Sequence, residues 1–311
     1  MSDAPRLFCL DTVLIDVVLK IAALPQRAGD VLASENLITT GGGFNAMSAA
    51  ARHHMSVVYA GRLGAGPFSA LAAATLEHEH IEAPVARNEA LDTGICVVLL
   101  EPDGERSFVT SRGAEATLRG SDLDALEVRA GDYVLVSGYN VMYREPATLV
   151  LAWLSRLTGE VTVVFDPATR MVDIPKSNLD AMIQRSNWLL CNATEAAALT
   201  GRDDVVEAAS LLATRNDTLD VLVRSGAKGC VVALNHHEAV VVPGFTTTVV
   251  DTNGAGDVHN GVFLAELASG HEALDAARWA NAAAAIAIGR FGPATGPRRE
   301  DVTRWITQFD E

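Results

Sequence analysis

From about residue 133 onward the chain repeats one unit: a short continuous apolar run, a polar residue or glycine, then a helical pattern. The run at 133–137 ends at Gly138-Tyr139-Asn140 and precedes helical periodicity over about 145–157. The run at 161–165 ends at Asp166-Pro167, that at 188–191 ends at Asn192 before a helix over about 194–199, and that at 221–224 ends at Ser225-Gly226. Strands apolar on both faces that alternate with helices pack as a parallel sheet covered on both sides, an α/β fold. Ligands of such sheets bind outside the carboxyl ends of the strands. Gly138, Asp166, Asn192 and Ser225 all fall there, so polar residues line one rim.

The first third reads differently. A short buried strand at 7–10 is followed by an extended stretch around Asp16, a weakly alternating stretch at 31–39, and two extended runs flanking Pro102-Asp103-Gly104. Asp-Gly between such runs is a strong hairpin signal. Together these stretches can form a small separate sheet. Asp16 inside an apolar run is costly if buried without a partner; it is either an outward-facing strand residue or a functional one. Gly41-Gly42-Gly43 leads into Phe44-Asn45 and an Ala-rich helix to about residue 54. The glycines allow close approach to a ligand, or mark an ordinary loop-to-helix junction. The segment from Ser111 to Glu115 is either a solvated loop or one that lines a substrate.

Asp251-Thr252-Asn253-Gly254-Ala255-Gly256-Asp257 follows an extended run at 248–250 and precedes a helix over about 258–268, with Gly270 as its C-terminal signal. Gly254 and Gly256 let backbone N–H groups converge, and the helix start adds free N–H groups and partial positive charge. That is an anion site. Asp257 sets a carboxylate beside it. Either it caps the helix, or a hydroxyl attacking a phosphoryl group comes between, with the carboxylate as base. Glu195, three residues after Asn192, is a capping-box partner or reaches a Mg²⁺–phosphate through water. Ser225-Gly226-Ala227-Lys228-Gly229 is a hairpin turn or touches nucleotide phosphates. An Ala-rich helix over 273–288 carries the odd polar residue Asn281. There is no GxGxxG and no P-loop motif, and His78 and His80 have the wrong spacing for one helix face.

A net charge of −15 argues against nucleic acid or an anionic membrane surface as the main partner. An anionic substrate must then be held by local donors. The four cysteines, Cys9, Cys96, Cys191 and Cys230, are far apart and point to a reducing, cytoplasmic setting. No apolar run is long enough for a membrane span, and without a basic region followed by an apolar run at the start no signal peptide is expected.

The chain resembles the ribokinase/PfkB family of sugar and nucleoside kinases. The matches run nearly end to end: the triple glycine with Asn45, Thr93-Gly94, Asn192 to Glu195, Ser225 to Gly229, and above all Asp251 to Asp257. The resemblance implies a single domain over 1–311. Its fold would be a ribokinase-like, Rossmann-type three-layer α/β/α core with a small β-sheet lid, drawn from about 12–20, 31–39 and 93–111. It implies phosphorylation of a primary hydroxyl of a sugar or sugar-like alcohol, with ATP and Mg²⁺. Asp257 would be the base, and Gly254, Ala255 and Gly256 the anion hole. Asp16, Gly42, Gly43 and Asn45 would hold sugar hydroxyls, with Glu115 nearby. Asn192 and Glu195 would lie on the Mg²⁺–phosphate side, and Ser225, Gly226, Lys228 and Asn281 toward the nucleotide. In relatives that bind a monovalent cation, the loops carrying Asp251 and Gly292 form the site, which makes Asp251 a candidate K⁺ residue.

His259 stands where the family usually has Phe. The segment Thr40 to Asn45 departs from the ribokinase glycine motif, and Glu115 stands where ribokinase usually has Asn. These departures weaken ribose as the specific substrate. The open edges of a small lid sheet point to a homodimer through the lid. A nucleoside kinase of the same fold and a non-catalytic sugar-binding sensor are the alternatives.

Overall fold

The structure is a computed structural model and describes residues 4–310. Strand β1 (Arg6–Leu10) is followed after a two-residue turn by β2 (Val13–Lys20), then β3 (Glu35–Gly42), helix α1 (Phe44–Arg52), β4 (Ser56–Tyr59) and α2 (Pro67–His78). The hairpin β5 (Ile95–Leu100) and β6 (Arg106–Ser111) precedes the short α3 (Gly120–Asp124). The repeated unit then gives β7 (Tyr133–Ser137), α4 (Arg144–Leu154), β8 (Thr162–Asp166), α5 (Lys176–Arg185), β9 (Trp188–Asn192), α6 (Ala193–Thr200), α7 (Val205–Ala213) and β10 (Asp220–Arg224). After β11 (Cys230–Ala233) and β12 (Val240–Val242) come α8 (Ala255–Ala268), α9 (Ala273–Ile288) and α10 (Arg299–Asp310).

The larger sheet has the order β12-β11-β10-β9-β8-β7-β1-β4. Its strands are parallel from β4 to β10, and β11 and β12 turn back antiparallel. The period of two along each strand sorts its side chains into two cores. Leu7, Cys9, Leu135, Val164, Leu190 and Leu222 pack with α1, α2, α8 and α9. Phe8, Leu10, Val134, Val136, Val163, Phe165, Leu189 and Val221 pack with α4, α5, α6 and α7 on the other side. This is the expected three-layer arrangement. The strand order reverses between β1 and β7, which opens a crevice at their carboxyl ends.

The smaller sheet, β3-β2-β5-β6, is the lid. Its own apolar cluster is thin: Val18, Cys96 and Val98, with Leu14 and Leu37 against them. So few buried groups cannot hold a sheet alone, and the lid depends on the core beneath it. Both β2 and β3 run directly into core segments, at Thr12 and at Gly43.

The sequence reading misplaces some boundaries. Residues 31–34 lie outside β3, which instead runs on through Gly41 and Gly42. The run at 248–250 is no strand, and Val249 and Val250 are exposed. Helix α8 begins at Ala255 rather than near 258, so the glycine turn sits tighter against the helix than its apolar pattern suggests. Helices α5 and α7 and strand β12 are additional elements.

One close contact positions the site. An added Cβ at Gly261 of α8 would lie 2.1 Å from the Ala46 carbonyl oxygen of α1. Only glycine lets these helices meet that closely, and their first turns carry Asn45 and Asp257.

Candidate active site

Gly254 caps α8 with φ +71°, a left-handed conformation that glycine adopts without strain. Its α-carbon faces Asn45, whose Nδ2 lies 3.1 Å from where a Cβ would stand. The N–H groups of Gly254 and Gly256 have no hydrogen-bond partner among the described residues, whereas Ala255 N–H turns back to the Thr252 carbonyl at 3.3 Å. Two of the three expected anion-hole donors are therefore open.

Asp257 is in the first turn of α8, and its Oδ2 accepts a 3.0 Å hydrogen bond from Asn45 Nδ2. Burial pushes its carboxyl up to about 6; the Asn45 hydrogen bond and the Arg224 charge oppose that, and Asp166 adds to it. Asp16, on β2, is buried under the lid. Its carboxylate lies against Gly41, where a Cβ would sit 2.2 Å from Oδ2. Burial and then the charge of Asp257 push Asp16 up to about 7. Asp11, in the turn after β1, is raised to about 7 by burial and then Asp257, and accepts from Thr12 N–H at 2.6 Å. The Thr12 carbonyl accepts from Gly43 N–H at 2.8 Å, tying this turn to the glycine motif. Asp11 belongs to no motif, and its one signal in the sequence is a carboxylate directly after the first strand.

Arg224 likewise carries no motif signal in the sequence. It ends β10, and its guanidinium donates to Asn260 Oδ1 and to Asp166 Oδ2, the latter at 3.3 Å. Asn260 also donates to Asp166. Burial works against the charge of Arg224, yet Asp166 and Glu195 keep it firmly protonated. Its Nε lies 3.5 Å from where a Cβ on Gly256 would be. A guanidinium thus stands beside the glycine turn.

The same arginine lines a cleft of about 300 Å³ with Asn192, Thr194, Ser225, Gly226 and Lys228. Ser225 Oγ is buried there without a hydrogen-bond partner. Residues 226–228 form a short turn joining the antiparallel β10 and β11. The segment is therefore a hairpin turn that also faces the cleft. Asn192 and Glu195 form a reciprocal capping box on α6: Asn192 Oδ1 accepts from Glu195 N–H at 2.9 Å, and Glu195 Oε2 accepts from Asn192 N–H at 2.8 Å. Burial and then Asp166 raise the Glu195 carboxyl above its usual range.

Other candidate residues have structural partners. Glu115 is buried and accepts from Gly94 N–H at 2.9 Å and Gly113 N–H at 2.7 Å, so it ties together the two ends of the lid hairpin. Asn281 Nδ2 donates to the carbonyls of Val242 and Pro243, at 3.0 and 3.1 Å. That leaves its Oδ1 to accept from His259 Nε2 at 3.0 Å. His259 is consequently the Nε2–H tautomer, and burial, then the nearby Arg224, lowers its pKa to about 3. It is a neutral brace between α8 and α9. Both oxygens of Asp251 are engaged: Oδ1 by Arg106 and by Asn253 N–H at 2.7 Å, Oδ2 by Gly292 N–H at 3.1 Å.

A parallel sheet with a polar rim, a glycine turn at a helix N-terminus, and a small sheet closing over buried carboxylates define a lidded α/β phosphotransferase. The description pfkB family carbohydrate kinase matches residues 4–300, and the chain belongs to that family. It is 30% identical over 292 residues to an uncharacterized sugar kinase, YegV, of Escherichia coli K12, a match covering 93% of this chain and 90% of the relative. It is 27% identical over 300 residues to an ATP-dependent ribose-1-phosphate kinase of Halopiger xanaduensis, covering 95% and 96%. Ribokinase from Thermotoga maritima has the same fold, with a TM-score of 0.84 at 25% identity over 97% of this chain and 99% of that one. The protein is an enzyme, a carbohydrate kinase.

The raised carboxyls make a stability prediction. Asp16 binds its proton more tightly folded, at about 7, than unfolded, near 3.8. Its contribution to stability is therefore full below the unfolded value and is lost as pH rises toward 7 and beyond. Without substrate, Asp16→Asn should melt above wild type at alkaline pH, and the gap should close on acidification toward pH 4. Thermal melts of both proteins across that range check this; a gap that widens on acidification would contradict it.

Proposed function

We propose that the enzyme transfers the γ-phosphoryl group of ATP to a primary hydroxyl of a sugar or sugar-like alcohol, the whole chain acting as one kinase domain. The observation that carries this reading is Asp257, charged with difficulty, held by Asn45, and set beside open N–H groups. Asp16, Asn45, Gly42 and Gly43, joined by Asp11, frame the pocket for the alcohol under the lid. Asn192, Ser225, Gly226 and Lys228 frame the nucleotide, and the unpartnered Ser225 hydroxyl suits a phosphate or ribose oxygen. Asn281 acts on the cleft indirectly, by fixing the turn at Val242 and Pro243.

Asp257 takes the hydroxyl proton as the new O–P bond forms and the bond from the γ-phosphorus to the bridging oxygen breaks, so that ADP leaves. The N–H groups of Gly254 and Gly256 and the Arg224 guanidinium meet the charge on the transferred group. The lid excludes water and so limits ATP hydrolysis.

Mg²⁺ supplies charge neutralisation on the phosphates. No group of three or more His, Cys, Asp or Glu side chains among the described residues builds a metal site. A Mg²⁺ carried by phosphates and water suits these residues, with Glu195 and Asp166 close enough in charge to influence each other on that side. The K⁺ site implied at Asp251 does not fit: a guanidinium and two N–H groups already take both carboxylate oxygens. A reducing, cytoplasmic setting accords with four free, buried cysteines. The intact base and anion hole weigh against a non-catalytic sensor.

Ile38, Phe108 and Val109 leave apolar surface exposed on the lid, whose edges are β3 and β6. This supports a homodimer through the lid. Sedimentation should give twice the 32.8 kDa chain mass; the monomer mass at working concentration would remove the dimer.

Asp257→Asn should lower kcat by ~10²–10⁴-fold, the usual share of a general base, while nucleotide and sugar dissociation constants stay within a few-fold. Coupled ADP-release kinetics on the best sugar, with calorimetric binding, check this. Near wild-type kcat would remove Asp257 from its role.

A further inference from the structure

Arg106 reaches the anion-hole loop from outside the core. It is the first residue of β6, on the lid, yet its side chain is largely buried and pairs with the Oδ1 of Asp251. Asp251 is itself buried at the start of the glycine turn and is nearly inaccessible. A carboxylate in such a place needs a cationic partner, and losing it leaves an uncompensated buried charge. The remaining bonds of Asp251 run to Asn253 N–H, in its own turn, and to Gly292 N–H, in the loop after α9. One carboxylate therefore joins three pieces of chain: the lid, the turn and the loop.

Two further contacts fall on the same joint. Lys20, at the end of β2, sets its ammonium 4.3 Å from the ring centre of Phe291, and also pairs with Glu35 of β3 at 2.7 Å. Leu37 of β3 packs so closely on Gly292 that a Cβ there would come within 2.9 Å of it. Three lid strands thus converge on the two loops that Asp251 ties together, and the turn under them presents the N–H groups of Gly254 and Gly256.

We propose that Arg106 is a positioning residue for phosphoryl transfer. Its guanidinium is a built-in cation that holds the Asp251 turn, and with it the anion-hole N–H groups, in place when the lid is seated, so the enzyme needs no monovalent metal ion there. Lifting the lid withdraws the guanidinium from Asp251. Seating the lid on the alcohol restores it, so the anion hole is complete only when substrate is enclosed. The inference rests on the kinase reading for its turnover measurements and goes beyond it in naming the charge that shapes the site.

The test has two arms. Wild-type turnover should be the same in potassium, sodium and tetramethylammonium salts at matched ionic strength; marked activation by potassium overturns the proposal. R106Q should lose on the order of 10²-fold in kcat, the scale of a small misplacement of reacting groups. Millimolar guanidinium or a monovalent cation should return part of the loss, and R106K should keep more activity than R106Q. Wild-type kcat in R106Q, or a loss that no cation relieves, overturns the proposal. The second arm needs no sugar. Hydrogen exchange in R106Q should quicken together in β2, β6 and residues 251–254, and unchanged exchange in 251–254 overturns the coupling. Absence of turnover by the wild type on every alcohol would fail the kinase reading instead, and the exchange arm would still decide the role of Arg106.

Discussion

Asp257 is kept charged by one amide and one guanidinium in a place where burial and a neighbouring carboxylate work against it. Asp11 and Asp16 stand near enough to feel its charge, and both are raised in turn. A site built this way is costly to the folded chain without substrate. The cost is tolerable because the rest of the molecule is conventional: two apolar cores on either side of a parallel sheet. What the sheet cannot supply is positive charge at the rim. Arg224 supplies it beside the cleft lined by Asn192 and Ser225, with Asp166 and Asn260 fixing its orientation. The N-terminus of α8 supplies the remainder as oriented N–H groups.

Connectivity explains how lid and core stay in register. Strand β3 belongs to the lid, but it runs through Gly42 and Gly43 straight into α1, where Asn45 meets Asp257. The approach of α1 to α8 at Gly261 then sets the separation of amide and carboxylate. At this same end of the lid, Glu115 ties Gly94 to Gly113 and fixes the legs of the hairpin. The lid is thus anchored at its covalent ends by short turns and at its far side by contacts with the loops near Asp251 and Gly292. Movement of a sheet held in this way concentrates at those turns.

Much of the fold was legible because its signals are local. Continuous apolar runs ended by polar residues located β7 through β10, and Asp-Gly located the β5–β6 hairpin. The boundaries near 31–34 and 248–250 misled because apolar or alternating character there reflects surface segments near the lid and loops, with Val249 and Val250 left exposed. Helices α5 and α7 carry ordinary amphipathic patterns that a search centred on strand ends skips. Among site residues, Asp257 and Asn45 could be named from their motifs. Arg224 and Arg106 could not, since one arginine at a strand end or in a hairpin looks like any solvated cation. Only the fold shows that each is buried against a carboxylate from a distant part of the chain. Asn281 and His259 show the converse: polar residues in apolar helices that drew notice in the sequence, and that serve each other and two backbone carbonyls.

The central claim is that Asp257 must be ionised to act and that Asn45 helps keep it so. The pH dependence of kcat/KM for the phosphorylated alcohol, in wild type and in Asn45→Ala, tests it most directly. Wild-type activity should fall on acidification through a limb near the value of about 6 set for Asp257, a macroscopic value shared in part with Asp11 and Asp16. A hydrogen bond to a charged group contributes roughly 1.5–3 kcal/mol, and about 1.4 kcal/mol corresponds to one pH unit. Removing the Asn45 amide should therefore move the limb upward by about one pH unit or more. A wild-type profile flat through that range, or a limb that stays in place when Asn45 is removed, would contradict the account.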